Sequence, residues 1–404
     1  MEFHKYIKPG ITVFVAAIAF LIGSKFFTYF TYSAEPEVRI VGLENGESYK
    51  GMVNGVIKGE NDYKIYSVKL NLDGEPFVVE GAEFVRSKNF DLPFELNTNE
   101  LEDGKHTLKI EAVDSSYNSN KTENQIDFYV DNTPLKAAFL QTDYKVVQGR
   151  TLQPKFQLNK PVKSATIKLF SKNYECYPAS KDSIIYESFI PVDCEQIPDE
   201  YLISLEVEDK VGNVSKLSSS VRVNKAVFTK QKGFYVASEK LEDEKEVSMS
   251  DKILKVALDK WLANSPKEKL WKGAFETPTV IKRVATPFGE IRVTPEKGRY
   301  LHKAVDIINN PKSVVWASNN GKVIIKDRYL MSGNTVVIDH GLGVFTQYFH
   351  LEDFADIEVG DFIKKGQPVG KLGMSGYASG YHLHWELSVN GVSVEPLEWT
   401  KKVY

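Results

Sequence analysis

Hydrophobic and polar residues alternate in short runs over most of the chain, and turn residues separate the runs. Residues 66–72 are followed by Asp73-Gly74, and residues 107–113 follow Asp103-Gly104. Alternation with a period of two is typical of strands that bury one face. The pattern therefore predicts a mainly β protein whose first β-sandwich covers residues 35–134.

A weak internal repeat extends this prediction to the next segment. In both copies three alternating apolar residues precede an Asp-x-x-x-Asn turn, and the copies are Leu108, Ile110, Ala112 with Asp114 and Asn118, then Ile203, Leu205, Val207 with Asp209 and Asn213. Such runs resemble bacterial Ig-like modules. We therefore predict a second Ig-like β-sandwich at 135–228.

Helical spacing replaces the alternation in the predicted linker, 229–278. The apolar residues that recur three and four apart are Ile253, Leu254, Ala257, Leu258, Trp261 and Leu262. This spacing predicts a helix that Ser250 caps and Asn264-Ser-Pro266 stops. The charged stretch 239–246 before it is expected to be solvated. Two placements stay open: the helix packs against the C-terminal domain, or the linker covers that domain's cleft.

Strand patterns return after Pro278 and continue to the end of the chain, with glycine-containing turns between them. No long helical pattern interrupts them. We predict a C-terminal domain at 279–404, built on an antiparallel sheet with a groove across one face.

The N-terminal region, 1–34, contains an apolar run from Ile11 to Gly23 that Lys5 and Lys8 precede. With the aromatic residues that follow, the run reaches about 20 residues, enough to cross a bilayer as a helix. The leading lysines favour a cytoplasmic N-terminus. The alternative is a signal peptide cleaved after Ala34. Both interpretations place most of the chain on the extracytoplasmic side of the cell membrane.

Composition narrows the classes of partner. The chain has 404 residues, of which 42% are hydrophobic and 12% aromatic, enough for two or three packed domains. Its 51 basic and 54 acidic residues are interspersed, so nucleic acid is not an expected partner. Cys176 and Cys194 are the only cysteines. In an oxidising compartment we expect them to form a disulfide.

The candidate chemistry lies between His302 and Glu386, which contain five of the seven histidines. His382 and His384 stand two apart in an apolar run, so on a strand they share a face. His302 and Asp306 would lie about 13 Å apart on a regular strand, so that segment must bend or enter a strand from a loop. Two imidazoles and one carboxylate with an open fourth position form the ligand set of catalytic zinc.

The region 287–400 resembles the core domain of the M23 zinc metallopeptidases, of the lysostaphin and LytM type. The matching stretches are, in order, 288–292, His302 to Asp306, Ala317 to Val323, 337–341, 348–351, 360–367, and 373–376 leading to His382-Leu-His384-Trp-Glu386. Ala304 replaces the usual Gly, and Tyr381 replaces a frequent Pro. The resemblance implies that His302, Asp306 and His384 hold one Zn²⁺, and that His350 and His382 are unligated catalytic histidines.

The resemblance and the predicted compartment together imply a membrane-anchored, exported endopeptidase that hydrolyses peptide cross-links of peptidoglycan. A D-alanyl bond to a diamino acid is the expected target, ahead of glycyl bonds. The alternatives are a non-catalytic LytM-like activator of other wall hydrolases and a structural zinc or adhesion protein. The Ig-like modules are expected to act as spacers or to contact the wall or a protein partner. His340 is expected to make local turn contacts, and His106 to be an ordinary strand or surface residue.

Overall fold

The computed structural model describes residues 4–231, 244–294 and 298–404. The chain divides into two compact units, Met1–Pro134 with Lys210–Asn213, and Leu135–Asp209 with Val214–Tyr404. The predicted fold class is confirmed: the protein is mainly β, with one N-terminal apolar helix and a C-terminal β-sheet domain.

The N-terminal helix, α1, spans His4–Thr31. Its segment Val13–Thr31 is long and apolar enough to cross a membrane, and no side chain of this segment is buried. A signal sequence passes the same test of length and composition. The helix therefore agrees with both interpretations of the N-terminal region.

Residues 35–134 form a sheet around one long strand, β3. Its first part, Met52–Glu60, pairs with β1 and β5, and its last part, Ile65–Leu72, pairs with β6. Alternate side chains of the sheet are buried in one apolar core. The strands are β1 (Glu37–Val41), β2 (Ser48–Tyr49), β3 (Met52–Leu72), β4 (Glu75–Pro76), β5 (Ser87–Asn97), β6 (Gly104–Asp114) and β7 (Lys121–Val130). In the order β1-β3-β6-β7-β2, the last strand of the module, β7, pairs in parallel with its second strand, β2.

The next segment packs a four-stranded sheet, β14-β15-β11-β8, and a five-stranded sheet, β13-β12-β17-β18-β9, around a core of its own. Its strands are β8 (Ala137–Phe139), β9 (Asp143–Val147), β10 (Thr151–Leu152), β11 (Lys155–Leu158), β12 (Ser164–Leu169), β13 (Lys172–Glu175), β14 (Tyr177–Pro178), β15 (Ile185–Glu187), β16 (Ile190–Pro191), β17 (Glu200–Glu208) and β18 (Val214–Asn224). The assignment of both modules as Ig-like stays a prediction.

The linker helix, α2, spans Glu244–Ala263. It ends where Asn264 was expected to stop it. The cap predicted at Ser250 is wrong, because the helix begins six residues earlier and Ser250 lies inside it. The Ser250 hydroxyl instead accepts a hydrogen bond from the backbone amide of Leu330, on the C-terminal domain. The predicted solvated stretch 239–246 lies partly outside the described residues.

The C-terminal domain is built on an antiparallel ten-stranded sheet, as predicted, with the central order β19-β22-β29-β26-β25-β24-β27. Its strands are β19 (Arg283–Thr286), β22 (Val305–Ile308), β23 (Val314–Trp316), β24 (Gly321–Tyr329), β25 (Gly333–Asp339), β26 (Val344–Phe354), β27 (Phe362–Ile363), β28 (Pro368–Leu372), β29 (Leu383–Val389) and β30 (Val392–Val394). A hairpin of β20 (Ile291–Thr294) and β21 (Gly298–Leu301) and a short helix α3 (Pro396–Trp399) complete it.

Helix α2 packs on this sheet. Leu254, the most buried apolar residue of the helix, joins a cluster with residues of β24, β25 and β26, namely Ile324, Ile325, Val337 and Phe345. Ala257, Leu258, Trp261 and Leu262 pack against the same cluster. The helical face predicted from the apolar spacing is thus the face that the sheet buries.

The second module also packs on the C-terminal domain, inside the same compact unit. Phe189 of the module lies in one aromatic cluster with Trp271, Trp399 and Tyr404, with ring centroids 5.3 to 6.2 Å from its own. Beside it, the buried carboxylate of Glu187 pairs with Lys269. Because aromatic rings bury a large apolar area, the contact between the second module and the C-terminal domain is extensive and apolar.

The disulfide prediction is wrong for this structure. Cys176 and Cys194 are both free and buried. Cys176 packs in the core of the second module, and Cys194 packs in the core of the C-terminal domain. The two thiols belong to different cores, and burial raises the pKa of each to about 12, so neither is a ready thiolate.

Candidate metal centre

Three side chains from distant parts of the sequence converge at one point on the sheet. Nε2 of His302 lies 3.1 Å from Oδ1 of Asp306 and 3.2 Å from Nδ1 of His384. Oδ1 of Asp306 lies 3.0 Å from the same Nδ1. These atoms form a nearly equilateral triangle of two imidazole nitrogens and one carboxylate oxygen.

The triangle has dimensions that suit zinc. Tetrahedral Zn²⁺ with bonds of about 2.0 to 2.2 Å separates its ligand atoms by roughly 3.3 to 3.6 Å, slightly more than the three distances here. Small outward shifts would let one ion contact all three atoms. Three protein ligands leave a fourth position for water or substrate, as catalytic zinc sites do. The residues therefore fit a catalytic zinc ion.

Strand pairing explains how the triangle forms. Asp306 on β22 is paired with His384 on β29, and His384 is paired with Phe349 on β26. Residues paired across antiparallel strands point to the same face. His302 and Ala304 lie in the bend between β21 and β22, which is the bend that their spacing required. Ala304 is not among the residues with positive φ, so this bend does not require glycine.

The second carboxylate oxygen of Asp306 faces a cation. Nη2 of Arg292 lies 3.4 Å from Oδ2 and also donates to the Thr286 hydroxyl at 2.8 Å. The guanidinium thus engages one oxygen, and the other remains directed at the triangle. Burial acts to raise the pKa of Asp306, but the hydrogen bonds from His302 and His384 outweigh it, and the net pKa is well below its usual range. Sequence reasoning did not assign Arg292 this contact.

The ring of His302 has only one nitrogen engaged. Its Nδ1 is buried and has no hydrogen-bond partner among the residues that the structure describes. Burial lowers the pKa of this histidine, although Asp306 opposes the shift. The ring is therefore neutral at physiological pH, and a neutral imidazole can donate the Nε2 lone pair to a metal.

The ring of His384 is fixed from three sides. Phe349 stacks on it with ring centroids 5.1 Å apart and planes 2° from parallel. Asp306 lies at Nδ1, and Oε2 of Glu386 lies 3.9 Å from Nε2. Burial lowers the pKa of His384, but the hydrogen bond to Asp306 and the negative charge of the nearby Glu386 reverse this and raise the pKa to about 9. With this pKa the metal-free ring carries a proton on each nitrogen at neutral pH, and a metal ion at Nδ1 would replace the Nδ1 proton and leave the Nε2 proton directed at Glu386.

His350 reaches the site through an unusual backbone conformation. It follows Phe349 on β26, so regular alternation would direct it to the opposite face. Its φ is instead 60°, in the left-handed region that non-glycine residues seldom adopt. Register shifts in the neighbouring strand pairs accompany this irregularity. The ring centroid of His350 lies 4.8 Å from that of His382 and 5.9 Å from that of His384.

His350 and His382 share a tautomer. Nδ1 of His350 donates to the carbonyl oxygen of Ser375 at 2.9 Å, and Nδ1 of His382 donates to that of Gly380 at 2.9 Å. Because a carbonyl oxygen can only accept, both protons reside on Nδ1 and both Nε2 atoms remain free to accept a proton. Burial and the neighbouring histidines lower the pKa of His350 to about 3, so this ring is neutral.

A close backbone contact at Gly376 positions the loop whose carbonyl group binds His350. A Cβ atom on Gly376 would lie 2.3 Å from the backbone nitrogen of Gly333, and Gly376 has φ of 72°. Only glycine permits this approach, which brings the Ser375 carbonyl to the imidazole. Sequence reasoning singled out Gly373, Gly376 and Gly380 but did not identify this contact.

Two other histidines lie apart from the triangle. Each ring nitrogen of His340 lies 2.7 Å from a local partner, the carbonyl of Asn320 and the hydroxyl of Thr346. Full burial lowers its pKa to about 4. These contacts confirm the local role expected for it. His106, in the first module, pairs with Asp73 at 2.6 Å.

The sequence carries the signature of a known family at this site. A model of peptidase family M23 matches residues 300–396, a range that contains the triangle and both neighbouring histidines. The C-terminal domain belongs to peptidase family M23.

Named relatives match part of the chain. The chain is 32% identical over 126 residues to the peptidoglycan DD-endopeptidase ShyC of Vibrio cholerae serotype O1, covering 31% of this chain and 29% of the relative. It is 36% identical over 128 residues to the DD-carboxypeptidase/endopeptidase Mpg of Neisseria meningitidis serogroup B, with the same two coverages. The chain thus spans less than a third of the length of these curated relatives.

A solved structure of a Pseudomonas aeruginosa protein assigned to peptidase M23 is 21% identical to this chain. The match covers 63% of this chain and 94% of that one, with a TM-score of 0.46.

Proposed function

We propose that this protein is a membrane-anchored, exported zinc metalloendopeptidase that hydrolyses peptide cross-links of peptidoglycan. The observation that carries the proposal is the triangle of His302, Asp306 and His384 with two further histidines beside it. The names of the M23 relatives point to D,D-peptide bonds as the first substrates to assay.

His302, Asp306 and His384 would hold one Zn²⁺ per chain, which would lower the pKa of a bound water and polarise the scissile carbonyl. Arg292 contacts Oδ2 of Asp306 and so helps to keep Oδ1 directed at the triangle. Phe349 and Glu386 hold the His384 ring so that Nδ1 faces the site. These contacts preset the site, so little reorganisation is needed when substrate binds.

His350 and His382 are proposed to move the protons. The Nδ1 proton of each ring is held by a backbone carbonyl, so in the neutral form of each ring Nε2 is the nitrogen that can accept a proton. One of them accepts the proton of the attacking water, and the other takes up a proton from solvent at Nε2 and donates it to the leaving amine. No H-E-x-x-H motif supplies a glutamate base in this sequence, so histidine takes that role.

The N-terminal helix supports a proposal for the location. We propose that α1 is a retained anchor with its N-terminus in the cytoplasm, and that the rest of the chain lies on the extracytoplasmic side, where peptidoglycan is found. We also propose the domain division 1–34, 35–134, 135–228, 229–278 and 279–404. The two β-modules are candidates for contact with the wall or with protein partners.

The decisive experiment is release of cross-linked peptides from purified sacculi. The wild type should release them, chelation should stop release, and added zinc should restore it. His350→Ala should release far less while retaining zinc. His106→Ala, a histidine substitution in the first module, is the matched control and should behave as wild type.

Two outcomes would contradict the proposal. Full activity of metal-free wild type would refute the zinc mechanism. Absence of release by a folded, zinc-loaded wild type, together with stimulation of a second wall hydrolase, would instead support the non-catalytic activator.

A further inference from the structure

The end of helix α1 is docked to a turn of the first module, residues 114–120, here called the Tyr117 turn. The backbone amide of Tyr117 donates to the carbonyl of Tyr29 at 3.0 Å. The side-chain amides of Asn118 and Asn120 both donate to the carbonyl of Tyr32, at 2.8 and 3.2 Å. The Tyr117 turn thus donates hydrogen bonds to carbonyl oxygens at the C-terminal end of α1. Carbonyls at a helix end have no hydrogen-bond partner within the helix.

The turn is internally fixed. The buried carboxylate of Asp114 accepts hydrogen bonds from the amide and hydroxyl of Ser116 and from the amide of Asn120, at 2.7 to 3.1 Å. A carboxylate that accepts three bonds holds the loop in one conformation. Tyr117 is therefore presented on a rigid support.

Aromatic rings continue from the helix onto the turn. The ring of Tyr117 lies 4.9 Å from Phe30 and 6.2 Å from Tyr29, centroid to centroid. On the other side of the helix end, Tyr32 stacks obliquely on Tyr63 at 5.3 Å. Tyr117 nevertheless remains 63% exposed, and Phe30 51% exposed. The described residues thus leave an aromatic surface beside the helix end largely uncovered.

The depth of this surface follows from the length of the helix. Val13–Thr31 contains 19 residues, or about 28 Å of helix, close to the roughly 30 Å thickness of a hydrocarbon core. A bilayer crossed by this segment must end near Thr31. Tyr29, Phe30 and the Tyr117 ring that contacts them then lie at the headgroup boundary, where tyrosine is favoured because its ring is apolar and its hydroxyl polar.

We infer that the Tyr117 turn is a membrane-contact surface, which seats the first module in the headgroup layer of the bilayer that α1 crosses. This inference rests on the proposed anchoring. It also assigns the first module a partner of defined chemistry, the phospholipid interface. The contact fixes how the module meets the membrane, because the helix carbonyls are bonded to the turn.

The test uses the full chain in phosphatidylethanolamine/phosphatidylglycerol nanodiscs that contain a headgroup nitroxide lipid. An environment-sensitive fluorophore is attached at Tyr117→Cys and, to keep Tyr117 in place, at Ser119→Cys. Tyr129→Cys is the control. Tyr129 is also exposed, but it lies eight residues beyond the first residue of β7, which follows the Tyr117 turn, and eight strand residues span about 27 Å. Unmodified protein, whose two cysteines are buried, gives the labelling blank.

The expected result is quenching and a blue shift at positions 117 and 119, with quenching several times that at 129. Carbonate extraction and the mass of the mature N-terminus are measured on the same protein. Release from membranes, or cleavage after Ala34, would overturn both the anchoring and this inference. Retention in membranes with equal quenching at 117, 119 and 129 would overturn this inference alone.

Discussion

The two halves of one face of the C-terminal sheet differ sharply. On β22 and β29 the face carries Asp306 and His384, two of the three groups of the candidate metal centre, and Glu386 beside His384. On β24 and β25 the same face carries Ile325 and Val337, which α2 covers. Both halves obey the same strand alternation. What differs is the chemistry of the side chains, because apolar groups gain from burial and the polar ligands must remain accessible to substrate.

Phe349 marks the boundary between the halves. It packs against the cluster under α2 and also stacks on His384. The helix therefore supports the metal centre through one ring and lies on the same face as the site. The sequence left open whether the linker packs on the domain or covers its cleft, and this packing favours a structural role for α2.

The largest effect should come from the ligand triangle. We expect His302→Ala and Asp306→Ala to reduce bound zinc from one per chain to nearly none and to abolish hydrolysis, because two remaining ligands cannot hold the ion in place of three. Metal analysis of dialysed protein measures the loss, with His106→Ala as control. Unchanged zinc content in either variant would mean that the triangle is not the metal site.

The next effect concerns the two histidines beside the triangle. His350→Ala and His382→Ala should each lower the rate of peptide release by about 10² to 10⁴, the usual range for a general acid or base. Bound zinc should stay at one per chain. If either variant loses zinc in parallel with activity, its histidine acts as a ligand and not as a proton carrier.

The third effect concerns the half of the sheet face that α2 covers, here called the covered half. Leu254→Ala should destabilise the C-terminal domain by about 2 to 5 kcal/mol, because it leaves a cavity between α2 and the sheet. Ile253→Ala is the matched control, since Ile253 is 56% exposed, and should change stability little. Urea unfolding measures both. The rival interpretation, in which the linker covers the cleft, predicts that deletion of 230–265 raises activity in a folded product.

The smallest effect is pH-dependent and involves Asp339, paired with Phe345 in the covered half. Burial raises its pKa to about 6, although the Gly341 amide and the Ser265 hydroxyl lower it. Between about pH 4 and 6 the folded state then binds a proton that the unfolded state has released, so this residue's contribution to stability falls as pH rises. Asp339→Asn should therefore be more stable than wild type at pH 7, on the order of 2 kcal/mol.

That advantage should disappear as the pH falls to 4, and unfolding midpoints of both proteins at several pH values measure it. His340, whose pKa is lowered, acts in the opposite direction over an overlapping range, so the difference between the two proteins is the informative quantity. A difference that is constant with pH would show that Asp339 has an ordinary pKa in the folded protein.

Local patterns were sufficient for much of the fold. The alternation predicted a β protein, and apolar spacing predicted the face of α2 that the sheet buries. The spacing of His302 and Asp306 required a bend, which the structure has between β21 and β22. The two-residue spacing of His382 and His384 required a shared face. Each of these follows from backbone periodicity, which a few neighbouring residues determine.

Long-range packing decided the rest. The left-handed backbone at His350, the guanidinium of Arg292 beside Asp306 and the partition of Cys176 and Cys194 into separate cores depend on residues far apart in sequence. The start of α2 before Ser250 and the contact between Tyr117 and the helix end are of the same kind. The sequence by itself determined which side chains could share a face. Only the tertiary structure decided which faces meet, because that depends on how whole strands and helices bury their apolar surfaces together.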